Sequence, residues 1–152
     1  MAEMMAVARY FTELYAARHG TDMDEMRMHK MMYFAQRESL MLCDRPLFCG
    51  TFEAWKYGPV LVEFRSEYQS GGMSSRHYGG LEEREKELVR SVFDRYDRCD
   101  SWSLSTLSHG EYSWLQTRKN LSYNPHSKEM ALSAIKVDAT KERLRRMGVI
   151  LA

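Results

Sequence analysis

The sequence has too little cysteine for a disulfide-built fold. Cys43, Cys49 and Cys99 are the three thiols among 152 residues, an odd number at irregular spacing. No C-x-x-C pair exists, which removes the usual cysteine zinc site. Reduced thiols in a cytoplasmic protein are the simplest reading. Cys43 and Cys49 flank Arg45 but sit among apolar residues, so both are read as inert and buried. Long apolar runs are missing as well. Nothing approaches the roughly 18 residues of a membrane span, and Glu3 and Arg9 come too early for a signal peptide. A strong charge of one sign is also absent: formal net charge is +1, too little to draw the domain onto nucleic acid or an anionic membrane. The basic stretch Lys141, Arg143, Arg145 and Arg146 is short, is interrupted by Glu142, and suits the negative end of a helix dipole.

Catalytic patterns are absent too. There is no G-x-S-x-G, H-E-x-x-H, P-loop or G-x-G-x-x-G. Ser108-His109-Gly110-Glu111 places a base beside a carboxylate. Groups adjacent in sequence rarely converge as a triad, and a helix end closed by glycine accounts for the same residues. An enzyme using His109 with Glu111 or Glu53 therefore has little support. The histidines His19, His29, His77, His109 and His126 show no i,i+4 pair, so neither a metal nor a cofactor is expected.

What is present reads as one globular domain over 1–152. Apolar residues make up 44% and charged residues 28%, close to the globular average. The 12 methionines, several of them between Met23 and Met41, suit an irregular core or an adaptable surface. Met4, Val7, Phe11, Leu14 and Tyr15 recur at helical steps, predicting a helix over about 4–18 with Gly20 as its left-handed cap. Asp22 and Glu25 have capping-box spacing. The helix that follows, about 23–42, is apolar over more than a stripe and reads as central. Phe48, Thr51, Phe52 and Trp55 favour extended backbone, giving one small β element near 47–57. Pro59 suits a first helical position, predicting a helix from Val60 to Tyr68. A glycine- and serine-rich loop spans 70–80, a charged helix about 81–98, and short helices 102–107 and 111–119. Asn124-Pro125 marks a turn, and two more helices are expected over about 127–137 and 139–147. The expectation is a mainly α, compact bundle of about six or seven helices.

The densest aromatic segment is Trp55-Lys56-Tyr57-Gly58-Pro59. Large rings beside a cation on a rigid Gly-Pro turn can anchor a protein contact. A core role for Trp55 is the plainer alternative.

Three ordered segments carry a resemblance. Met28-His29-Lys30-Met31-Met32-Tyr33-Phe34-Ala35-Gln36 resembles a helical signature of the form leucine-x-lysine-leucine-leucine-tyrosine-phenylalanine-alanine-glutamine. Leu47-Phe48 with Phe52-Glu53-Ala54-Trp55-Lys56-Tyr57-Gly58-Pro59-Val60 resembles the second signature. Ser105-Thr106-Leu107-Ser108-His109, then Glu111 and Trp114, resembles the third. Together they are similar to the Panacea antitoxin domain, the SocA-like family, over about 5–135. Methionines replace three leucines, a near volume-conserving exchange. Ser113 stands where the family often has proline. The segment 138–152, with a helix over about 138–147, lies beyond the match.

The resemblance implies a bacterial, phage or mobile-element protein that neutralises a neighbouring-gene toxin by direct binding. The alternatives are a proteolytic adaptor that delivers the toxin to a Clp-type protease, or a mobile-element protein of other non-enzymatic function. Many members carry a second, often DNA-binding, domain, for which this chain is too short. The expected partner site is Trp55, Lys56, Tyr57, Gly58, Pro59 and Phe64. The motif positions that accompany it are His29, Lys30, Tyr33, Phe34, Gln36, Glu53, Ala54, Leu107, His109 and Trp114.

Overall fold

The computed structural model describes residues 1–75, 78–119 and 128–149. In chain order the elements are α1 (Met4–His19), α2 (Glu25–Cys43), β1 (Phe52–Trp55), β2 (Gly58–Leu61), α3 (Val62–Gln69), α4 (Gly72–Ser75), α5 (Glu83–Tyr96), α6 (Ser101–His109), α7 (Tyr112–Lys119) and α8 (Leu132–Arg146). The protein is thus mainly helical with one small antiparallel sheet, as its pattern implies.

Helix α2 is the axis of the domain. Every residue from Arg27 to Met41 is buried, because α1, α3, α5, α6, α8 and β2 all pack against it. A helix apolar on more than one side needs such enclosure. Met28, Met31, Met32, Tyr33, Phe34 and Ala35 supply its core, so these methionines fill volume rather than coat a surface. The chain enters α2 after Gly20, whose φ of 74° closes α1 with an N–H bond to the Ala16 carbonyl. Asp24, not Asp22, caps α2, accepting the Arg27 N–H at 2.8 Å. Glu25 is already inside the helix and turns to His29 Nε2 at 2.9 Å. The helix ends at Asp44, in the left-handed region at φ 54°, two residues before Pro46.

The β element lies further along the chain than expected. Strand β2 occupies 58–61 and contains Pro59, and α3 begins only at Val62. Ala54 opposes Pro59 and Trp55 opposes Gly58. Strand β2 has a sheet neighbour on one side only, so the N–H that proline lacks need not break the ladder. A lone hairpin is marginal in water, and here both sides are held. The Leu61 N–H donates to His29 Nδ1 at 3.0 Å. On the other edge the Ala54 N–H reaches the Lys128 carbonyl at 3.0 Å, and the Met130 N–H reaches the Phe52 carbonyl at 2.8 Å. Gln36 holds the approach to β1. Its Nε2 donates to the Phe48 carbonyl and its Oε1 accepts the Leu47 N–H, at 2.9 and 2.8 Å.

The last helix is single where two were expected. Helix α8 runs unbroken through Asp138, which is fully buried. Ser127, Asn124 and Pro125 lie outside the described residues, as does His77. In the 70–80 segment a short helix, α4, follows Gly71. Glu85, expected on a solvated face, is buried and accepts the Glu82 N–H at 2.8 Å at the start of α5. Cys43 and Cys49 are exposed, contrary to the buried reading, because both lie past the enclosed part of α2.

Candidate functional site

The two-residue loop between β1 and β2, Lys56-Tyr57, projects from the body. Both residues are exposed, Tyr57 by 53%, and the Lys56 ammonium lies 5.4 Å from the Tyr57 ring. The residue behind the loop must be glycine. Gly58 has φ 119°, and a Cβ there would fall 2.7 Å from Ser108 Oγ and 3.0 Å from Lys30 Cε. The hairpin therefore seats directly on α2 and α6.

Side chains of α6 and α7 clamp it. Ser105 Oγ donates to the Tyr57 carbonyl at 3.2 Å, Trp114 Nε1 to the Trp55 carbonyl at 2.8 Å, and Arg118 Nη1 to the Ala54 carbonyl at 3.2 Å. Helix α6 is positioned by Asp100, which caps it by accepting the Ser103 N–H at 2.7 Å. Trp114 also stacks on the His109 ring, with centroids 4.3 Å apart and planes 20° apart. Trp55 is half-buried. Its Nε1 donates to Glu53 Oε1 at 2.8 Å, and the Arg65 guanidinium stands 5.2 Å from its ring.

The structure divides the expected site. Lys56 and Tyr57 are exposed and Trp55 is half-buried. Gly58 and Pro59 are buried. Phe64 is fully buried, edge-on to His29 at 5.3 Å, and so belongs to the core rather than to a partner surface. Of the motif positions, His29, Lys30, Tyr33, Phe34, Gln36 and Ala54 are buried. Glu53, His109 and Trp114 are half-buried, and Leu107 is exposed. Trp102 was not foreseen. It is 77% exposed at the start of α6, one turn before the Ser105 that bonds the hairpin. This helix turns Leu104, Ser105 and Ser108 inward and leaves its tryptophan outside, which its sequence alone does not mark.

Burial shapes the electrostatics beneath the loop. It pushes the Lys30 ammonium down to about 8, with Asp24 opposing. Burial, then the Lys30 charge, lowers the His109 imidazole, while the backbone of Tyr57 and Lys56 opposes. Burial likewise lowers His29, against Glu25.

A triad around His109 does not assemble. Ser108 Oγ donates to the Ser105 carbonyl at 2.9 Å, and Glu111 turns inward to Arg37. Among the described residues no group of three His, Cys, Asp or Glu side chains could hold a metal, and no helix is long and apolar enough to cross a membrane.

No curated protein and no solved structure matches the chain. The family model of the SocA-like antitoxin, Panacea domain, matches residues 28–115, the span that holds most of α2, the hairpin, Trp102, His109 and Trp114, and the chain belongs to that family.

Proposed function

We propose that this domain neutralises a protein toxin encoded beside it by direct, non-enzymatic binding in the cytoplasm, and that the hairpin face makes the contact. The observation that carries the reading is the pairing of two exposed anchors, Tyr57 and Trp102, on elements joined by the Ser105–Tyr57 bond. Tyrosine and tryptophan dominate binding energy in protein interfaces. Anchors on a clamped turn lose little conformational freedom on association. Lys56 at the tip adds a charge that can steer the encounter. Growth rescue by Tyr57→Glu, Trp102→Glu and Lys56→Glu variants, co-expressed with the neighbouring gene, tests this. Loss of rescue in variants that melt like the parent supports the face, and full rescue by all three removes it.

A second reading, delivery of the bound toxin to a Clp-type protease, requires another surface. A mostly apolar cleft of about 450 Å³, lined by Leu42, Pro46, Leu47 and Leu88, lies at the C-terminal end of α2. That is roughly 20 Å along the helix from Lys30 at 1.5 Å per residue. Toxin half-life separates the readings: unchanged for simple blocking, shortened for delivery.

A further inference from the structure

Helix α2 carries six ionisable side chains in its buried stretch, and five are paired. Arg27 donates to the Cys99 carbonyl, His29 meets Glu25 and the Leu61 N–H, Tyr33 donates to Asp138, Arg37 meets Glu111 and Tyr96, and Glu38 accepts from Arg146. Lys30 is the exception. It is 3% exposed, and among the described residues no acceptor or carboxylate pairs with it. Asp24 acts on it only at longer range. Beside it, His109 Nε2 is sealed from solvent and, among the described residues, makes no well-formed hydrogen bond, although the Tyr57 and Lys56 backbone lies near the ring; Lys30 Nζ is not among the sealed atoms. Stacking on Trp114 keeps the imidazole in place.

Buried polar groups are normally satisfied, and each exception calls for a cause. Three acids of the neighbouring elements are engaged elsewhere. Glu25 is held by His29 and Arg65, Glu53 by the Trp55 indole, and Asp24 by the Arg27 N–H. Lys30 Nζ lies 3.3 Å from where a Cβ on Gly58 would be, so the bare backbone of that turn lies beside it.

We infer that Lys30 and His109 form a receptor, beneath the hairpin turn, for an aspartate or glutamate side chain of the bound protein. The inference rests on the hairpin face being the partner surface. A carboxylate there would pair the Lys30 ammonium and favour a protonated imidazole beside it.

Lys30→Met keeps an unbranched side chain, one heavy atom shorter, and removes the charge. It is expected to melt at or above the parent temperature, because an unpaired buried charge stabilises nothing. It should bind the toxin encoded by the neighbouring gene on the order of thirtyfold more weakly, or worse, the usual result of stripping one partner from a buried charge pair. His109→Gln should weaken binding in the same direction. The Lys30 side-chain resonances of the wild-type protein, titrated by NMR, should turn over at higher pH in the complex than in the free protein, since a carboxylate favours the charged form. Parent-like affinity in Lys30→Met, or the same turnover point in both states, would overturn the receptor. If Tyr57→Glu and Trp102→Glu lose binding while Lys30→Met and His109→Gln keep it, the receptor alone fails. If all four keep it, the hairpin face fails too.

Discussion

The hydroxyl of Tyr33 on α2 donates to Oδ2 of Asp138 on α8 at 2.9 Å. The same fully buried carboxylate accepts the Tyr112 and Ser113 N–H groups at 2.6 and 3.0 Å, at the N-terminus of α7, where a negative charge is favoured. One side chain therefore joins α2, α7 and α8. It also explains Ser113, because a proline there would have no N–H to give. Asp138→Ala should cost roughly 3–5 kcal/mol, the range for removing one member of a buried charged network. Urea unfolding followed by tryptophan emission would read it, Trp114 being the residue after Ser113. A loss below about 1 kcal/mol would mean the network is not essential.

Gly58 is expected to tolerate no side chain. Alanine there meets an unfavourable φ of 119° and Ser108 Oγ at 2.7 Å. Backbone strain and overpacking together should cost about 2–4 kcal/mol. A Gly58→Ala variant with unchanged urea midpoint would show that Ser108 and Lys30 can move aside.

Glu111 should make stability depend on pH. Burial first, then Asp138, pushes its carboxyl up to about 7, with Arg37 opposing. The folded protein thus keeps a proton that the unfolded chain releases near the ordinary value of 4.5. This contribution is complete below the unfolded value, falls as pH rises toward about 7, and is gone above it. Glu111→Gln cannot lose that proton. The stability of the parent relative to Glu111→Gln should therefore fall by up to about 3 kcal/mol between pH 5 and 8. Urea midpoints that run parallel across this range would contradict it.

Two aromatic residues of the domain should respond oppositely to truncation. Trp102→Ala is expected to leave stability within about 0.5 kcal/mol and to weaken toxin binding by about 2 kcal/mol. Phe64→Ala should destabilise the domain by about 3–5 kcal/mol, with binding restored wherever the folded fraction is restored. Melting curves paired with titration of the toxin would separate them. A destabilised Trp102→Ala would place that ring in the core after all.

Local chemistry was legible without coordinates. Helical spacing marked α1 and α2, the Gly20 cap held, and the breadth of the apolar surface on 23–42 announced a central helix. These features depend on residues a few positions apart, whose geometry is nearly independent of the rest of the chain. Partition between core and surface was less legible. Phe64 and Trp102 are both large rings on helices beside the same hairpin, and neither spacing nor composition separates them. Pro59 misled because a residue poor in a central strand is harmless in a strand paired on one side. Cys43 and Cys49 misled because apolar sequence neighbours do not ensure burial once the helix has left its enclosure.

The sequence by itself determined the family, the helical class and the order of the elements, since motifs and periodicity are properties of short segments. Only the tertiary structure decided which motif residues meet. Asp138 joins Tyr33 across 105 residues, and Trp114 and Ser105 take up the hairpin carbonyls. Among the described residues, Lys30 is left alone among the buried ionisable groups of α2. Each of these facts depends on which helices come to lie side by side, and that is set by packing the whole core at once.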